Sequence, residues 1–141
     1  VESILNISEN KDFNKLKDEA LNGNKEKINK LLADTIFETD SNVYYLNLIN
    51  QRINKLFEIE NLKTSKNANT ELIISSLKPP IFWKDKPVLT VQSKKWNKSK
   101  LQKALAKTYD VEINIKSNSS IRKELLIKHL ILDLCNVANS P

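Results

Sequence analysis

Apolar residues recur three and four positions apart along most of the chain, and this spacing predicts about seven amphipathic helices. Phe13, Leu16 and Ala20 share a face of a first helix over Asp12–Leu21, with Ser8 or Asn10 as its cap and Gly23 as its C-terminal stop. Val1–Ile7 reads as a frayed or extended tail of a preceding domain. Asn24 caps a second helix whose apolar set is Ile28, Leu31, Leu32, Thr35 and Ile36. The connection is so short that these two helices are expected to be antiparallel neighbours. Asp40 or Ser41 opens the longest segment, which runs to about Lys63. Leu46, Ile49, Ile53, Leu56 and Phe57 form its stripe, and Tyr45, Leu48, Ile59 and Leu62 widen it. Arg52 and Lys55 fall between these positions and are expected to snorkel outward. After a polar loop at Thr64–Asn69, a shorter helix over Ala68–Leu77 is expected to turn Leu72, Ile73 and Leu77 inward.

The next stretch, Leu77–Pro87, breaks the pattern and holds three of the four prolines and one of the two tryptophans. Pro79 and Pro80 lack an N–H and fix φ, so the arriving helix must stop near Leu77 or Lys78. Ile81, Phe82 and Trp83 then follow in a row. Two readings compete. In one, Pro79, Pro80, Phe82 and Trp83 form a rigid corner whose side chains plug the core. In the other, the corner is a Pro-aromatic docking site for a partner. A helix over Lys86–Trp96 follows, with Pro87 in its first turn and Val88, Val91, Gln92 and Trp96 near one face. Asn97 or Ser99 begins the next, with Leu101, Ala104, Leu105, Thr108, Val111 and Ile115 inward. Val111, Ile113 and Ile115 also alternate like a strand, but a lone strand has nothing to pair with, so helix is expected through Lys116. After a turn at Ser117–Ser120, with Ser120 as cap, the last helix runs from Ile121 to about Val137. Apolar residues surround most of it, and Arg122, His129, Asp133 and Asn136 make its one polar strip, so it should be the most buried helix.

These elements predict an all-α fold, a single helical bundle over residues 8–141. A length of 141 residues suffices for one domain with a real core. The chain opens on Val1, which suggests a piece of a longer protein. Gly23 is the only glycine, and that excludes a Gly-rich phosphate loop, a dinucleotide fingerprint and a nucleophile elbow together. One cysteine, Cys135, and one histidine, His129, exclude a disulfide and make a zinc site untenable. A reducing cytoplasm fits, no apolar run approaches a membrane span, and no signal peptide is visible.

The net charge of +6 raises the question of a polyanion. Lysines are spread along the chain, and their densest cluster is Lys94, Lys95, Lys98, Lys100, Lys103 and Lys107. Lys100, Lys103 and Lys107 share one helical face and are the residues expected to meet phosphate, if any do. Trp83 and Trp96 are expected in the core rather than stacked on bases. His129 and Asp133, four apart, can meet as an acid–base pair, but no nucleophile or oxyanion site accompanies them. Cys135 on an apolar helix reads as an inert core residue. No cofactor and no metal is expected, and the chain reads as an interaction domain rather than an enzyme.

The run P-P-I-F-W-K-D-K-P at 79–87, Gln92, Lys95-Trp96, then Leu101, Leu105, Glu112 and Ile115-Lys116-Ser117 resembles the C-terminal domain of the bacterial DNA polymerase III delta subunit, of the alphaproteobacterial type. The similarity is best over about residues 30–139. It implies a helical collar domain of the clamp loader, which assembles with the gamma (or tau) and delta-prime subunits in a bacterial cytoplasm during DNA replication. It also implies DNA in the assembled complex, and a sliding clamp that the parent subunit reaches only through an N-terminal domain outside this chain. No catalytic residue carries over, since that subunit binds no ATP itself. The alternative from another class is a basic helical nucleic-acid-binding module built on the lysine patch.

Overall fold

A computed structural model describes residues 2–37, 41–66, 69–78, 80–117 and 122–141, giving only the backbone course for 2–11. Among them are seven helices: α1 (Glu2–Asn22), α2 (Lys25–Asp34), α3 (Asn42–Lys66), α4 (Thr70–Ser76), α5 (Asp85–Lys95), α6 (Lys98–Lys116) and α7 (Lys123–Asn139). The described residues contain no strand, and Val111–Ile115 lies inside α6 as the helical period required. Asp40, Ala68, Pro79 and the Ser120 cap fall outside the described residues. Residues 2–7, expected as an extended tail, instead form the start of α1. Thr64–Lys66, expected in a loop, is the last turn of α3.

Local chemistry sets the helix ends. Gly23 has φ +76°, the left-handed conformation that costs a side-chain-bearing residue ~1–2 kcal/mol. Its N–H reaches the Ala20 carbonyl at 3.0 Å while the Asn24 N–H reaches that of Glu19 at 3.0 Å, a Schellman closure of α1. Three asparagines cap the helices that follow tight breaks. The Asn24, Asn69 and Asn97 side chains accept from the backbone N–H of Lys27, Leu72 and Lys100 at 3.4, 2.8 and 2.8 Å.

The core lies between α1, α3, α6 and α7, with α3 packed on α6, α6 on α7 and α7 on α1. α2 folds back on α1, as the short loop implied, while α4 and α5 pack on each other and on α3. Seven of the 17 residues of α7 are buried, against seven of 25 in α3 and four of 19 in α6, so α7 is the more enclosed. At one end Phe13 stacks on Tyr45 with centroids 4.3 Å apart, and Phe37 meets both edge-on. Ile36 is therefore 75% exposed rather than part of the α2 stripe: α2 ends at Asp34, and the extended residues beyond it turn Phe37 inward instead.

Two other expected faces are rotated. α5 buries Leu89, Gln92, Ser93 and Trp96, spaced three, one and three apart, and leaves Val91 exposed. Gln92 and Trp96 are buried as expected, while Leu89 and Ser93 take the places that the apolar count gave to Val88 and Val91. On α4, Ile73, Ile74 and Leu77 are buried while Leu72 is 63% exposed, because a seven-residue helix has only one contact stripe. Leu125, counted among the apolar surroundings of α7, is also exposed.

Trp96 is 2% exposed, and its indole Nε1–H donates to the Leu21 carbonyl at 2.8 Å, so that prediction holds in full. Phe82 and Trp83 depart from the core-plug reading. They are 58% and 68% exposed, and Pro80 is exposed beside them. Consecutive residues in a non-helical corner point in different directions, and here only Ile81 packs against the core. Trp96→Ala should therefore cost about 3–5 kcal/mol in urea unfolding. Phe82→Ala and Trp83→Ala should each stay within about 0.5 kcal/mol of the parent. A large loss at Phe82 or Trp83 would restore the core-plug reading.

Candidate functional site: a cationic pocket beside the proline corner

The site is built from four places in the chain. α1 contributes Lys17, α3 contributes Leu48, Gln51, Arg52 and Lys55, the corner contributes Pro80–Phe82, and α5 contributes Asp85 and Leu89 around a pocket of about 240 Å³. Lys17 reaches the pocket because it belongs to the apolar face of α1. Phe13, Leu16, Lys17 and Ala20 follow one another three, one and three apart, and all four are buried. The sequence reading passed over Lys17, although a lysine inside an apolar stripe was the available signal.

Arg52 does not snorkel outward as expected. Its Nη1 donates to Asp18 Oδ1 and to Gln92 Oε1, both at 3.0 Å. Gln92 is fully buried, and its Nε2 donates to the backbone carbonyl of Asp18 at 3.3 Å and to its Oδ1 at 3.2 Å. Partners 34 and 40 residues away in sequence hold Arg52 in, and no local periodicity carries that information.

Lys17 is 5% exposed, and its Nζ donates to Asn14 Oδ1 at 2.9 Å. Among the described residues it has no ion pair: Asp18 is turned to Arg52, and Lys55 is matched by Glu58 at 3.1 Å. Burial, reinforced by the Arg52 charge, brings the Lys17 ammonium down from the ordinary 10.5 to about 8, with Asp18 and Asp85 opposing.

The lysine face expected to meet phosphate is largely engaged within the fold. Lys100 Nζ donates to the carbonyls of Lys95 at 3.2 Å and Ala138 at 3.1 Å, at the C-terminal ends of α5 and α7. Lys107 Nζ lies 3.8 Å from Asp133 on α7. Lys103 is the member of the three left exposed. His129 Nδ1 and Asp133 Oδ2 meet at 3.2 Å as their spacing implied, on an exposed imidazole. Cys135 is buried, and burial pushes its thiol up, away from the thiolate a nucleophile needs. Among the described residues no group of three or more His, Cys, Asp or Glu could hold a metal ion. No helix among them is long and apolar enough to cross a membrane.

Fold and pocket together define an all-helical domain with a basic, apolar-walled recess beside an exposed aromatic corner. No family model, no curated protein and no solved structure matches the chain.

The buried ammonium has a pH signature. Lys17 binds its proton less tightly in the fold than in the unfolded chain. Its cost is therefore full below pH 8 and is relieved as pH rises from about 8 to 10.5. Lys17→Met should be more stable than the parent by about 1–3 kcal/mol at neutral pH. That advantage should shrink across the same window. Urea unfolding of both proteins at pH 7 and pH 10 measures it, and an advantage that does not change with pH would remove the assignment.

Proposed function

We propose that the chain is a protein-interaction domain, the C-terminal collar domain of a bacterial DNA polymerase III delta subunit, and that it assembles with the gamma (or tau) and delta-prime subunits of the clamp loader. The observation that carries the reading is the exposure of Phe82 and Trp83. These two rings lie 5.9 Å apart on a proline-braced corner, where core packing does not account for them. Exposed aromatics on a rigid support are the usual anchors of protein interfaces. Tyr109 and Ile113, one turn apart on α6, add a second exposed apolar face, as a subunit with neighbours on two sides requires.

The motif residues behind the resemblance also divide sensibly. Gln92 and Trp96 fasten α5 to α1, Leu101 and Ile115 are core, and the corner faces out. In this reading the domain acts in DNA replication by assembly and not by catalysis. The nucleic-acid-binding alternative is weakened, because Lys100 and Lys107 hold helix ends and a carboxylate. DNA contact in the complex then falls to exposed lysines such as Lys94, Lys98 and Lys103.

Phe82→Ala combined with Trp83→Ala should leave the melting temperature within a few degrees and weaken association with gamma or delta-prime by at least about tenfold in sedimentation or pull-down. Changing Lys94, Lys98 and Lys103 to Gln should leave that association intact and flatten the salt dependence of a DNA affinity in the roughly 10⁻⁴–10⁻⁶ M range. Sub-micromolar DNA binding at physiological salt, with no association with either subunit, would reverse the assignment.

A further inference from the structure

The pocket beside the corner has a chemistry that subunit assembly alone does not explain. Three cationic side chains line it, Lys17, Arg52 and Lys55, against one acid, Asp85. Asp18 answers Arg52 and Glu58 answers Lys55, so Lys17 is the cation whose charge the described residues leave without an ion pair. Apart from the Gln51 amide, its remaining walls are apolar: Leu48, Pro80, Ile81, Phe82 and Leu89. We propose that this pocket is a receptor for one carboxylate side chain flanked by apolar residues in an extended segment of a partner polypeptide, the carboxylate resting on Lys17 and the flanking groups on Leu48, Ile81, Phe82 and Leu89.

Size, charge and surroundings select this occupant. At about 240 Å³ the recess is below the ~300–1,000 Å³ of small-molecule and cofactor sites, and suits a side chain or two. Bidentate recognition of a phosphate would draw on the Arg52 guanidinium, whose Nη1 is already engaged by Asp18 and Gln92. Asp85 in the lining also opposes a dianion more than a single carboxylate. The pocket opens beside Phe82, more than half exposed, so apolar surface continues outward for the residues next to the acid. The charged groups acting on Lys17 are Asp18, Arg52 and Asp85, and Lys55 also lines the pocket. None of them supplies the ion pair that a ligand carboxylate would. Bound carboxylate returns Lys17 toward its ordinary protonation, so affinity must fall once the free protein loses that proton, above about pH 8. The inference stands on the pocket and not on the clamp-loader reading, and holds whichever polypeptide brings the acid.

The test uses the whole chain, isotope-labelled, with acetyl-Leu-Glu-Leu-amide as probe and the same peptide carrying Gln for Glu as control. The expected result is chemical-shift change centred on Lys17, Leu48 and the backbone of Ile81–Leu89, with at least about tenfold weaker binding of the Gln peptide. Binding of the Glu peptide should weaken at least tenfold again between about pH 7 and pH 9.5. Lys17→Met should lose the preference for Glu. Should that variant not fold, the two peptides on the parent protein decide the matter alone. Equal binding of both peptides, shifts centred away from the pocket, no saturable binding of the Glu peptide, or inorganic phosphate binding as tightly as the peptide would each overturn the proposal. Subunit pull-downs are unaffected by any of these results, so the two readings fail separately.

Discussion

The Asp18 carboxylate fixes how three helices meet. It accepts from Arg52 of α3 and Gln92 of α5, and its own backbone carbonyl accepts a second hydrogen from Gln92. One turn along α5, the Trp96 indole closes on the Leu21 carbonyl, one turn along α1. α5 is thus held at two points by directional bonds rather than by apolar contact alone. Such bonds specify register and rotation, because a helix turned by one residue would leave Gln92 buried without its partners. This explains why α5 buries a glutamine and a serine and leaves Val91 in water. Polar satisfaction, not apolar area, decided its face.

The same commitment creates the site. Asp18 stands next to Lys17 in sequence and would be its natural counter-charge on many surfaces. Its carboxylate is turned to Arg52 and Gln92, while Lys17 follows the apolar stripe of α1 into the pocket wall. Among the described residues the ammonium has an amide oxygen from Asn14 as its partner, and its affinity for its proton is depressed. A fold selected only for stability would place Met or Leu there. Retaining the charge has a continuing cost, and a ligand able to meet that charge is the simplest compensation.

Legibility in the sequence followed the range of the interactions. Helices set by local spacing were readable: the α3 stripe of Leu46, Ile49, Ile53 and Leu56 is buried throughout, and α6 keeps its helical period through Ile115. Caps were readable where a side chain acts on its own turn, as at Asn24 and Asn97. Arg52 was misjudged because its partners lie in other helices. The core-plug reading of Phe82 and Trp83 failed because apolar character implies burial only on average, and the corner after Pro80 holds both aromatic rings in water. The pocket itself was not foreseen. Its walls come from α1, α3, the corner and α5, and only the lysine within the Phe13–Ala20 stripe marked it in advance.

The basic charge also changes meaning once the helices are placed. A net charge of +6 suggested a polyanion surface, and the Lys94–Lys107 cluster looked like its centre. The fold distributes that cluster among separate tasks. Lys95 meets Asn139, Lys100 gathers the last carbonyls of α5 and α7, and Lys107 faces Asp133. Lys63 does similar work at the same end of α5, donating to the Ser93 carbonyl in its last turn. Helix C-termini concentrate unpaired carbonyls, and an all-helical fold with short connections brings several of them together. Lysine side chains reach across such gaps where a backbone turn without glycine cannot. With one glycine in the whole chain, cationic side chains take over part of the work of ending helices, and a share of the positive charge is architectural.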